Sequence, residues 1–94
     1  MRGMKLRIIR VRDDFLELEA SEEDPSFFDS LSELIQKLDG VEYAGITIEH
    51  PLTKKILMRV KTNPSKIKAV DAVKRSIQEL KGISEELREA FEKL

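Results

Sequence analysis

Side-chain catalysis needs a nucleophile with a base, paired carboxylates in a cleft, or a metal cage, and this chain of 94 residues holds few candidates for any of them. The lone histidine, His50, precedes Pro51 in what reads as a connecting turn, with no second histidine and no cysteine to complete a catalytic pair or a zinc cage. The lack of cysteine also excludes disulfide scaffolds, thiolate clusters and cysteine nucleophiles. Glu22, Glu23 and Asp24 could ligate a divalent cation, but adjacent carboxylates ahead of a helix start more commonly serve the helix dipole. Gly3, Gly40, Gly45 and Gly82 are too scattered for a phosphate-cradling loop. The residues therefore predict no catalytic site, no metal and no cofactor, and a chain that is not an enzyme on its own.

Charge narrows the possibilities further. Seventeen basic against 18 acidic side chains give a formal net charge of -1, which argues against a dedicated nucleic-acid binder. The average hides segregation, because residues 1 to 12 carry five bases and no acid while residues 13 to 24 carry seven acids and no base. If the two segments are neighbouring strands, the simplest reading is cross-strand Arg to Glu pairing on a wet face. From Pro51 to Gly82 the cations Lys54, Lys55, Arg59, Lys61, Lys66, Lys68, Lys74, Arg75 and Lys81 face only Asp71 and Glu79. With no aromatic residue in that segment to stack bases, it reads as a solvated face or as a rim that meets an acidic partner.

The elements that position these groups follow from periodicity. Met4 to Arg12 reads as a strand in which Ile8 and Ile9 cannot share a face, so either a bulge lies there or both faces are partly covered. Asp13 and Asp14 supply turn chemistry, and Phe15 to Ala20 alternates as a second strand hairpinned to the first. Asp24-Pro25 opens a helix whose apolar residues Phe27, Phe28, Leu31, Leu34, Ile35 and Leu38 recur at helical spacing until Asp39 and Gly40 end it. Val41 to Glu49 and Ile56 to Lys61 read as third and fourth strands, joined through His50 to Lys54. Asn63-Pro64 repeats the cap-and-proline start, and apolar residues from Ile67 through Val73, Ile77, Leu80, Ile83, Leu87, Phe91 and Leu94 mark a helix running nearly to the end. From Val73 their spacing approaches a heptad seam. Such a helix would span roughly 45 Å, longer than a domain of this size needs for its own core, and Gly82 leaves a kink or break before Ser84 open.

The predicted fold is a single α+β domain over residues 1 to 94. It is a two-layer sandwich in the order strand-strand-helix-strand-strand-helix, with a mainly antiparallel four-stranded sheet, two helices on one face and a long last helix. No run is apolar enough for a membrane span and no signal-peptide pattern opens the chain, so an intracellular, cytoplasmic protein is expected. Phe27 and Phe28 point about 100° apart on a helix. Either both belong to the core, or one of them joins the distal seam of Ile83, Leu87, Phe91 and Leu94 as a contact surface for another helix-bearing chain. An interaction module is favoured.

The stretch GVEYAGITIEHPL, from Gly40 to Leu52, resembles the strand and His-Pro-Leu turn of the archaeal DNA-directed RNA polymerase subunit L family. The resemblance extends over nearly the whole chain, through the FLELEA strand, EDP at Glu23 to Pro25, and KGIS from Lys81 to Ser84. The first helix departs from the family, which usually opens it with His-Thr and a nearby Asn, where this chain has Pro25, Ser26 and Asp29. The resemblance implies an RNA polymerase α dimerisation-like fold and an architectural role. The chain would pair through its helices with the larger α-like subunit of the polymerase, forming the platform for the large catalytic subunits and the other small subunits, with DNA touched only indirectly and no membrane involved. It implies a partner interface of Phe27, Phe28, Leu31, Leu34 and Ile35 from the first helix with Ile77, Leu80, Ile83, Leu87 and Phe91 from the last. The rival is a free-standing homodimeric regulatory or interaction module of the same fold.

Overall fold

The computed structural model describes residues 5–21, 25–50, 55–80 and 85–93. Four strands, β1 (Lys5–Arg12), β2 (Phe15–Ser21), β3 (Val41–His50) and β4 (Lys55–Thr62), are interspersed with the helices α1 (Pro25–Gln36), α2 (Ala69–Glu79) and α3 (Glu85–Glu92). The sheet is antiparallel throughout, in the order β1-β2-β4-β3. β2 and β3 therefore run parallel with β4 between them, and a parallel pair cannot be joined by a tight turn, so α1 serves as the crossover. His50 ends β3 opposite Lys55, one strand residue beyond the predicted boundary.

The period-2 pattern of β2 and β4 is realised residue by residue. Leu16, Leu18 and Ala20 of β2 and Ile56, Met58 and Val60 of β4 turn to one face and are buried, while their neighbours face the other way. On that face Phe28, Leu31 and Ile35 of α1 and Ala69, Ala72, Val73 and Ile77 of α2 close a single apolar cluster. Each large side chain removed from water in this way stabilises the fold by about 1.5–3 kcal/mol. The doublet Ile8-Ile9 is resolved as a bulge, since the β1 to β2 register shifts between Ile8 and Arg10 and leaves Ile9 unpaired.

Two backbone features tie the layers together. Gly40 ends the turn after α1 at φ 97°, and a Cβ there would meet the Cβ of Lys66 at 2.7 Å, so only glycine fits. The hairpin turn accepts two amides from elsewhere, Thr62 N–H donating to the Asp14 carbonyl at 2.9 Å and Ala69 N–H to the Asp13 carbonyl at 3.0 Å. That second bond satisfies an amide at the start of α2 and docks it beside the hairpin.

The last helix differs from its prediction at both ends. Asn63 does not open it: Asn63 Oδ1 accepts from Ser65 N–H and its carbonyl from Lys66 and Ile67 N–H, closing a separate turn, and α2 begins only at Ala69 after an extended Lys68. Nor is the helix long. Leu80 leaves helical geometry at φ -80°, ψ 120°, and α3 starts afresh at Glu85. Gly82, the expected weak point, lies outside the described residues. A straight helix of roughly 45 Å would overshoot a molecule whose longest extent is 39 Å, whereas the break brings Phe91 back into the core.

One buried polar atom has no described partner. Thr62, 1% exposed, leaves its Oγ1 without a hydrogen bond. Thr62→Val keeps the shape and removes the unsatisfied hydroxyl, so it should raise unfolding free energy by about 1 kcal/mol in a denaturant titration. Destabilisation of that size would show that the hydroxyl is satisfied in solution.

Candidate partner interface

The ten residues predicted to meet a partner separate into three groups. Phe28, Leu31, Ile35, Ile77 and Phe91 are buried within the chain itself, at 0 or 1% exposure. This corrects their expected role, because a side chain already enclosed by its own sheet and helices has no free area to offer. Their contribution is to hold α1, α2 and α3 in place. Phe27, Leu34 and Leu80 are half-buried and do retain surface. Ile83, the side chain of Leu87, and Leu94 at the end of the proposed seam lie outside the described residues.

The Phe27-Phe28 pair shows how α1 divides its apolar residues. Phe28 points into the core, and Phe27 stands edge-on to it with ring centroids 5.0 Å apart and an interplanar angle of 86°, the favourable T-shaped contact. Leu34 lies two turns beyond Phe27 and so on the same side of α1. Leu34 is not among the half-buried apolar residues that pack on the core, whereas Phe27 and Leu80 are. The flank of α1 carrying Phe27 and Leu34 is thus the part of the predicted interface left open.

Further apolar surface lies where the sequence reading did not place it. Ile8, Ile9 and Val11 on β1 and Ile48 on β3 are exposed. Ile8 faces Leu18, Val11 faces Leu16 and Ile48 faces Ile56 across the ladders, so these three belong to the helix side of the sheet, on its two edge strands. The helices cover the central strands and stop short of these edges. The Ile8-Ile9 doublet was the available signal, since one of two adjacent isoleucines must leave the core face unless a bulge intervenes.

Charge is arranged by register. The predicted pairing across β1 and β2 occurs at Arg7 and Glu19, 3.4 Å apart. Glu17, however, pairs with Arg59 of β4 at 2.8 Å instead of with Arg10, its β1 neighbour. The basic segment of residues 51 to 82 does not form one surface. Lys55, Arg59 and Lys61 project from β4 on the sheet face away from the core, while Lys66, Lys68 and Arg75 are exposed on the turn and helix that follow. Among the described residues no cluster of three or more His, Asp or Glu side chains could hold a metal ion, and no helix is long and apolar enough to cross a membrane.

Known proteins match this arrangement over most of its length. The family described as "RNA polymerase Rpb3/Rpb11 dimerisation domain" matches residues 16–90. The DNA-directed RNA polymerase subunit Rpo11 of Saccharolobus solfataricus is 30% identical over 81 residues, which cover 86% of this chain and 87% of that protein. The subunit Rpo11 of Saccharolobus islandicus strain L.S.2.15 is 31% identical over 91 residues, covering 86% of this chain and 99% of its own. Among solved structures, DNA-directed RNA polymerase subunit L of Thermoplasma acidophilum superposes with a TM-score of 0.73 at 27% identity, over 98% of this chain and 89% of that one.

Proposed function

Because the chain belongs to the RNA polymerase Rpb3/Rpb11 dimerisation-domain family and is a subunit of DNA-directed RNA polymerase, we propose that its work in transcription is to pair with the larger α-like subunit of that enzyme. The resulting heterodimer is the platform on which the catalytic subunits and the other small subunits assemble, in the cytoplasm. Nucleotide addition belongs to the large subunits, and this chain contributes shape and apolar surface. The observation that carries the reading is the family match from Leu16 to Ala90, which takes in β2, α1, β3, β4, α2 and most of α3.

The apolar surface supports the same reading. Phe27 and Leu34 on α1 and Leu80 at the end of α2 form the contact with the partner's helices, resting on the buried Phe28, Leu31, Ile35 and Ile77. Pairing of this kind in a pseudo-symmetric dimer brings equivalent faces of two related chains together. Ile83 and Leu87 extend the contact toward α3 as the seam in the sequence implies.

Affinity capture of the tagged chain from its native cells should recover the α-like subunit and the large polymerase subunits, and co-expression with the α-like subunit should give a stable one-to-one complex. Recovery of no polymerase subunit would refute the assignment. A stable homodimer by light scattering that excludes the α-like subunit would favour a free-standing module instead.

A further inference from the structure

The face of the sheet opposite the helices carries its own pattern. Its outward positions set Arg7, Arg10 and Arg12 of β1 beside Glu17 and Glu19 of β2, and those beside Arg59 and Lys61 of β4. The two carboxylates are largely covered, at 14% and 13% exposure, by Arg59 and Arg7, whose own side chains stay 47% and 73% exposed. The face therefore presents cations to solvent, although the whole chain has a net charge of -1. Since Glu17 is taken by Arg59, Arg10 is left over, and neither Arg10 nor Arg12 has an ion pair among the described residues. Both line an open recess of 240 Å³ together with Asp14, Phe15 and Lys61.

Register then brings aromatic groups between these cations. Arg12, Phe15, Lys61 and Tyr43 stand in one row across the four strands. With neighbouring strands about 4.8 Å apart, Phe15 and Tyr43 flank Lys61 at a separation of about 10 Å. Tyr43 is folded down over Gly45, so that a Cβ at Gly45 would come within 2.7 Å of the Tyr43 hydroxyl and 3.1 Å of its Cζ. The ring thus lies along its own strand over a glycine that leaves room for it, and the residue remains 52% exposed.

We propose that this open sheet face binds single-stranded RNA, with Tyr43 as a stacking platform, Phe15 as a second aromatic contact, and Arg10, Arg12 and Lys61 on the phosphates. Aromatic rings on a sheet surface interleaved with cations suit unpaired bases and their backbone together. An acidic peptide would satisfy the arginines but has no group that requires a ring held over Gly45. The Tyr43 hydroxyl and the exposed Thr47 on the same strand face supply neutral partners for a ribose 2′-hydroxyl, which DNA lacks.

The test uses the full 94-residue chain and a fluorescently labelled oligouridylate about ten nucleotides long, a length within the range that one sheet-type site accommodates. Anisotropy should show binding that weakens steeply with salt. Tyr43→Ala should reduce affinity about tenfold while Tyr43→Phe keeps it. Arg10→Ala and Arg12→Ala should each make the salt dependence shallower by about 0.7 in log-log slope. Lys93→Ala, beyond the end of α3, should change nothing, and circular dichroism should confirm that every variant is folded. No binding at low ionic strength, indifference to Tyr43→Ala in a folded variant, equal affinity for the matching oligodeoxynucleotide, or tighter binding of a polyglutamate peptide would each overturn the proposal. Because the isolated chain is the reagent, these outcomes do not depend on the polymerase assignment.

Discussion

Phe91→Ala should lower the unfolding free energy of the isolated chain by about 3–5 kcal/mol, the usual cost of truncating a fully buried phenylalanine. Phe91 has 0% exposure, and it is supplied by a helix of eight residues that leans chiefly on α2. Isolated helices shorter than about 12–15 residues are marginal in water, so α3 depends on that docked side chain for its existence. The variant should therefore lose helical signal in far-ultraviolet circular dichroism as well as stability, with the melting temperature falling about 4–8 °C for each kcal/mol lost. The effect cannot exceed the free energy that α3 docking contributes, because a helix tethered at one end can detach while the sheet, α1 and α2 stay folded. A loss below about 1 kcal/mol, within the range of ordinary surface substitutions, would mean that α3 is undocked in the free chain.

Leu34→Asp should have little effect on the free chain and a large effect on assembly. Leu34 is half-buried outside the packed cluster, so the new carboxylate stays hydrated in the isolated chain and stability should change by less than about 1 kcal/mol. In an apolar helix-to-helix contact the same carboxylate loses its water without gaining a partner, a cost of several kcal/mol. Each 1.4 kcal/mol is about tenfold in affinity, so the complex with the α-like subunit should weaken at least a hundredfold in a titration. Phe27→Asp should act in the same direction, with a somewhat larger effect on the fold because Phe27 also packs edge-on to Phe28. Leu31→Asp is the contrasting case: Leu31 is fully buried, and the chain itself should fail to fold. Normal assembly with Leu34→Asp would exclude the open flank of α1 from the interface.

The fold was legible where local pattern and geometry coincide. Alternation in Phe15 to Ala20, the helical spacing from Phe27 to Leu38, and Asp13-Asp14 and Asp39-Gly40 as chain reversals each depend on neighbours in sequence, and each appears in the structure close to its predicted bounds. The last helix was less legible, because a periodic seam reports which residues share a side, and it continues in phase from Val73 to Leu94 whether or not the backbone bends. Leu80 leaves the helix to return Phe91 to the core, a gain made by contacts distant in sequence. Asn63-Pro64 misled for a related reason, since the same residue pair caps a helix or closes a single turn, and Lys68 restarts the chain in extended geometry before α2.

The interface was legible in composition and not in position. The excess of apolar residues over what one small core needs is a property of the sequence, and so is the family to which the Gly40 to Leu52 stretch points. Which of those residues remain outside depends on how far α1, α2 and α3 extend over the sheet. That placement buries Phe28, Leu31, Ile35, Ile77 and Phe91 and leaves Leu34 and the edge residues Ile8, Val11 and Ile48 uncovered. The row of Arg12, Phe15, Lys61 and Tyr43 is the plainest case. Its members come from four strands, and nothing local connects them. Residue type and spacing determined the elements, their polar and apolar sides and the absence of any catalytic pair of histidines or cysteines. Strand order, register and the fold-back of α3 decided which charges pair, which aromatics align and which apolar side chains are left for a partner, because those depend on contacts between segments distant in the chain.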